Sequence, residues 1–98
     1  MKTKEQYIHL LSDFHKNRGF VYGINKLGIF GSVARGEQKE GSDVDIYYEG
    51  EPLSLLKIAA LKDELETALG NSVDIVRIRK SMNNLLKKRI IKDGLYVR

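Results

Sequence analysis

Asp43 and Asp45 stand two residues apart in Ser42-Asp43-Val44-Asp45-Ile46-Tyr47-Tyr48. Alternate side chains of an extended strand share a face, so both carboxylates point the same way. Val44, Ile46 and Tyr48 then point the opposite way, toward a core. Two like charges side by side on one face repel, and a divalent cation relieves the conflict by accepting both as oxygen ligands. Mg²⁺ favours this arrangement of one or two carboxylates, several waters and the phosphates of a substrate. Taken alone, such a pair more commonly marks an exposed strand end with two hydrated acids.

A third carboxylate bears on that choice. Asp74 lies inside Ser72-Val73-Asp74-Ile75-Val76, an acid in the middle of an apolar strand. A desolvated charge there is costly unless it is paired or metal-bound. If this strand neighbours the first acidic one, Asp74 joins Asp43 and Asp45 on one face; the competing reading is an ion pair with Arg77 or Arg79. Upstream, Leu27-Gly28-Ile29-Phe30 reads as a buried strand running directly into Gly31-Ser32. Glycine lets the backbone approach a ligand closely. A serine hydroxyl and the free amides of a helix start suit a phosphate. Three carboxylates beside a phosphate-binding turn are the components of two-metal phosphoryl transfer. One metal would hold a triphosphate and the other would acidify an acceptor hydroxyl, with Asp74 as ligand and as a candidate base.

The elements that must position these groups follow from periodicity. Tyr7, Ile8, Leu11 and Phe14 recur at helical spacing between Thr3 and Arg18, and Gly19 is the expected stop. Val44 to Tyr48 and Val73 to Ile78 read as strands. Leu55, Ile58, Leu61, Leu65 and Leu69 mark a helix from Leu53 that Gly70 closes. Ser81 is a candidate cap for a last helix carrying Met82, Leu85, Leu86 and Ile90, with Gly94 after it. Pro52 falls in a loop. The expected architecture is a single α/β (α+β) domain over residues 1–98, with a small mixed β-sheet of three or four strands flanked by helices.

Composition sets the frame. The chain has 98 residues, 42% of them hydrophobic and 31% charged, which excludes disorder. Without cysteine there is neither a disulfide framework nor a thiolate zinc site. No apolar run reaches membrane-span length and the N-terminus has no apolar signal core, so a cytoplasmic location without membrane is the default expectation. The net charge of +4 is local: Arg77 to Arg98 holds eight basic residues against the single acid Asp93. Such a region can attract nucleic acid, triphosphate or an acidic partner, or be merely a solvated helix face.

Gly31-Ser32-x-Ala34-Arg35-Gly36, a short gap, and Ser42-Asp43-x-Asp45 resemble the signature of the DNA-polymerase-β-like nucleotidyltransferase superfamily. The resemblance is closest to its minimal members, short prokaryotic proteins that often act as antitoxins beside HEPN-domain toxins. Asp74 matches the family's third acidic residue in position and strand context. The motifs span Ile29 to Arg79; length and element order extend the likeness to nearly the whole chain. The resemblance implies the polymerase-β-like nucleotidyltransferase fold. It implies that Gly31 and Ser32, with Arg35 and Ser42, bind the nucleotide, and that Asp43, Asp45 and Asp74 are catalytic and serve two metal ions, Mg²⁺ or Mn²⁺. Arg35 has a second reading as a loop brace or surface ion pair, and Ser42 as a turn residue. Minimal members often carry a basic residue where this chain has Val33.

The activity so implied is transfer of a nucleoside monophosphate, AMP from ATP, to a hydroxyl of a partner HEPN-type toxin. The alternatives are a non-catalytic module that neutralises a partner by contact, and a small-molecule nucleotidyltransferase of the aminoglycoside type. A chain this short has no room for a template-gripping domain. Acceptor recognition is therefore expected from the cationic last helix or from a partner, with a homo-oligomer and nucleic-acid binding left open. The stripe Met82, Leu85, Leu86 and Ile90 is expected to pack in the core. Tyr47, on the face of Asp45, is placed to stack on a base. His9 and His15 read as surface residues.

Overall fold

The computed structural model describes residues 2–79 and 82–97. Four helices of α type and four strands follow one another in the order α1 (Lys4–Arg18), β1 (Ile24–Phe30), α2 (Gly31–Arg35), β2 (Val44–Gly50), α3 (Leu55–Leu69), β3 (Val73–Arg77), α4 (Asn84–Asp93) and β4 (Leu95–Val97). Among the described residues no helix is long and apolar enough to cross a membrane.

Thr3 opens α1 with a reciprocal cap: its hydroxyl accepts from the Gln6 amide and the Gln6 side chain accepts from the Thr3 amide. Tyr7, Leu11 and Phe14 form its buried face. Gly19 caps the end of α1 as expected, though not with a left-handed backbone. Its backbone stays helical, and a 3-10 turn over Gly19–Tyr22 carries on to Gly23, where φ turns positive. The glycine at 19 answers to space: a Cβ there would meet the His15 ring at 2.5 Å. Ser54 caps α3 through the Lys57 amide, and Gly70 ends it as expected. Asn83 caps α4, accepting from the amides of Leu85 and Leu86, so this helix starts later than expected. The expected cap Ser81 lies outside the described residues.

The strands form one mixed sheet in the order β3-β2-β1-β4. β1 pairs antiparallel with β2 and with β4, whereas β2 and β3 pair in parallel. Parallel neighbours need a crossover, and α3 supplies it. Leu27, Ile29, Val44, Ile46, Tyr48 and Val73 turn to one face, where Leu11 of α1 and Leu61, Leu65 and Leu69 of α3 complete the main core. An ion-pair network staples the two helices: Arg18 donates twice to the Glu64 carboxylate, at 2.8 and 3.1 Å, and the Tyr22 hydroxyl donates to the same group.

The opposite face is divided. Phe30 and Tyr47 form a smaller core with Met82 and Ile90, under α4. The rest of that face, toward Gly31, Asp45 and Asp74, stays open. Tyr47 is therefore no base-stacking platform. It is 1% exposed, lies across Gly28, and packs edge-on with Tyr96. Leu85 also departs from expectation: at 74% exposed it is outside the core, while Ile90 and Leu86 of α4 pack there with Met82, which lies just ahead of the helix.

Leu65 is fully buried where α3 meets the sheet. Leu65→Ala should lower unfolding free energy by about 2–5 kcal/mol, the usual cost of a large core cavity. Urea denaturation checks this; a loss under about 1 kcal/mol would mean that α3 does not hold the main core.

Candidate active site

Strand register assembles the acidic group. Phe30 lies opposite Asp45 across the antiparallel pair, and Asp45 lies opposite Asp74 across the parallel one. The end of β1 and the two acids thus stand side by side across the sheet, with Asp43 immediately before β2. Gly31 follows Phe30 with φ +72°, a conformation that side chains disfavour. A Cβ at Gly31 would sit 2.2 Å from Oδ2 of Asp45. The carboxylate occupies the place a side chain would take, so glycine is required twice over.

These residues line a crevice of about 360 Å³, whose walls include Gly31, Ser32, Arg35, Asp45 and Asp74 on the sheet side and Leu86, Arg89 and Asp93 on α4. Burial pushes the Asp45 carboxyl above the usual aspartate range, and the charges of Asp74 and Asp43 push it further; Arg35 and Arg89 pull it back. A half-buried acid crowded by two others fits a cation. Among the described residues no three acidic or histidine side chains converge into a ready metal cage.

Asp74 reaches the expected place for a different reason than expected. It is exposed, on the edge strand β3. The desolvation argument does not apply to it; adjacency to Asp45 is what marks it. The competing ion pair with Arg77 is absent, as the Arg77 guanidinium donates to the Gly50 carbonyl at 3.0 Å.

Ser42 is a turn residue. Its amide donates to the Lys39 carbonyl at 3.0 Å, its hydroxyl accepts from the Lys39 amide at 3.3 Å, and Gly41 supplies the positive φ the turn needs. Arg35 is tied twice, its Nε to Glu37 at 3.1 Å and its Nη1 to Asp93 at 2.8 Å. Val33 faces the main core, so a basic residue there could not reach the crevice without leaving it. His9 is exposed beside Asp13 of its own helix, and His15 lies against Gly19, both away from the acids.

Sequence reasoning missed two contributors. Asn71 donates to the Ser42 carbonyl and to the Tyr7 hydroxyl, tying the chain ahead of Asp43 to the start of β3. Arg89 faces the acids from α4. An Asn after a helix-closing glycine is an available signal for the first. Nothing in the spacing of the C-terminal cations singles out the second.

A family model described as polymerase beta, nucleotidyltransferase, matches residues 10–97. The protein adenylyltransferase MntA of Thermococcus cleftensis is 38% identical over 98 residues, covering 99% of this chain and 98% of that one. A chain of a toxin–antitoxin crystal structure with AMP-PNP superposes with a TM-score of 0.70 at 25% identity, over 97% of this chain and 72% of that chain. A chain of the complex between tri-AMPylated Shewanella oneidensis HEPN toxin and MNT antitoxin gives 0.65 at 21% identity, over 93% and 70%, a likeness of fold.

Two substitutions test the geometry. Gly31→Ala should cost about 1–3 kcal/mol in urea unfolding and weaken Mg²⁺ binding, because the new methyl evicts the Asp45 carboxylate; unchanged values would refute the close packing. Asp45 binds its proton more tightly folded than unfolded. Its contribution to stability therefore falls as pH rises from the ordinary aspartate value through the raised one, and the penalty persists at neutral pH. Asp45→Asn should thus melt higher than wild type at pH 7 without metal, by a few degrees at most. Mg²⁺ affinity of the wild type should fade on acidification at a higher pH than an ordinary aspartate site would show. A lower melting temperature for Asp45→Asn would count against the strain.

Proposed function

The chain belongs to the polymerase beta nucleotidyltransferase family, and from that premise we propose that it transfers AMP from ATP to a hydroxyl of a partner protein, a HEPN-type toxin that it neutralises. Nucleotidyl transfer is the activity of the family. Adenylate as the transferred group is supported by the name of the Thermococcus relative and by the AMP-PNP complex. A HEPN partner is supported by the solved complex with the AMPylated toxin. The observation that carries the reading is the pairing of Asp45 with Asp74 beside the Gly31-Ser32 turn.

Asp43, Asp45 and Asp74 would hold two divalent ions, Mg²⁺ by preference. When bound, such ions neutralise triphosphate charge and lower the pKa of an acceptor hydroxyl. Gly31 and Ser32 offer the triphosphate a close backbone approach and a hydroxyl at the crevice wall. In the transfer, the acceptor oxygen bonds to the α-phosphorus, the bridging bond to the β-phosphate breaks, and pyrophosphate leaves. The acceptor proton needs a base. Asp74, exposed on the edge strand beside Asp45 and without an ion pair among the described residues, is the proposed recipient. Asp45, half-buried and packed against Gly31, anchors the site.

The test is incubation with ATP labelled at the α-phosphate, Mg²⁺ and the candidate toxin. Wild type should label the toxin. Asp43→Asn/Asp45→Asn should fall by about 10³-fold or more, the loss expected when several kcal/mol of charge stabilisation goes. Equal labelling by both proteins would end the enzymatic reading. Full neutralisation by a variant that labels nothing would assign the antitoxin effect to contact alone.

A further inference from the structure

A nucleotide triphosphate entering this crevice brings several negative charges to a place that already holds three carboxylates. Charge-assisted hydrogen bonds from a guanidinium are a strong means of holding phosphate oxygens. Among the described residues lining the crevice, only Arg35 and Arg89 are cationic. The two differ in what already holds them.

Arg35 belongs to the glycine-serine segment and is engaged by Glu37 and by Asp93. The Asp93 side chain is only 14% exposed. Turning Arg35 to a phosphate would strand that carboxylate with its charge largely desolvated, which is expensive. Arg89 is exposed and has no ion pair among the described residues. It stands four residues before Asp93, so both project from one side of α4. Ile90, buried in the smaller core, fixes the roll of that helix. The field of Arg89 already reaches Asp45, opposing that of the two neighbouring acids.

We infer that Arg89 is the guanidinium that grips the nucleotide's polyphosphate, and that Arg35 instead clamps Asp93 so that α4 stays over the crevice. This rests on the nucleotidyl-transfer reading above and divides its labour between two arginines. Arg35 is then a positioning residue, and among the described residues the free cation of the site comes from the last helix.

Calorimetric titration with ATP plus Mg²⁺, and with adenosine, tests it on the intact chain. Arg89→Ala should weaken ATP binding about tenfold to a hundredfold, the range for a charged hydrogen-bonded contact. Adenosine binding and the melting temperature should not move. Arg89→Lys should fall between, since an ammonium restores charge but not the planar fork. Arg35→Ala/Asp93→Ala removes the clamp without leaving a bare carboxylate. It should lower the melting temperature and cost ATP affinity only a few-fold. The inference is overturned if Arg89→Ala binds ATP within about twofold of wild type, or if the double variant loses ATP binding at unchanged stability. A wild type that binds no ATP would sink the parent reading along with it, an outcome distinct from either.

Discussion

The Asp45 carboxylate pressed against Gly31 is the constraint around which this end of the molecule is arranged. One oxygen of Asp45 takes the space of a side chain at position 31. The chain must therefore leave β1 through a glycine with positive φ, and must do so where β1 ends. The parallel pairing of β2 with β3 then sets Asp74 beside Asp45. Each of these contacts costs something in isolation: a disfavoured backbone angle, a half-buried acid, adjacent like charges. They occur together at one spot, and a bound cation is what would reconcile them.

The surrounding packing follows from keeping that spot open. One face of the sheet is sealed by α1 and α3 along its apolar positions. The other is sealed only in part, because α4 covers Phe30 and Tyr47 and stops short of the acids. The Arg35–Asp93 pair then joins the two walls of the gap. The crevice is thus an unsealed portion of an ordinary two-sided sheet.

What was legible in the sequence was whatever rested on strict spacing. The alternation around Asp43 and Asp45 placed Asp45 on the correct strand, with Asp43 one residue ahead of it, and the leucines of α3 lie where helical periodicity puts them. Asp74 was found for an incomplete reason, since its apolar flanks suggested burial while an edge strand keeps it open. Tyr47 misled because sharing a face with Asp45 does not mean sharing an environment: α4 buries one and spares the other. Gly19 ends α1 as its place in the pattern suggested, but the 3-10 turn that follows and the His15 ring against it left no mark in the spacing. The strand Leu95–Val97 is too short for any period to show, and it exists only because β1 offers an edge. Arg35 and Arg89 could not be told apart without knowing which carboxylates sit nearby.

The parallel pairing has a further consequence, in folding order. Asp45 and Gly31 meet through two strands that are neighbours along the chain, a local antiparallel pair. Asp74 arrives only after the whole of α3 has been laid down as a crossover, a closure that carries the entropic cost of a long loop. A chain that has formed β1 and β2 alone holds two of the three acids and lacks the third. The complete trio exists only once the crossover has docked, so partly folded chains that lack it carry an unfinished site.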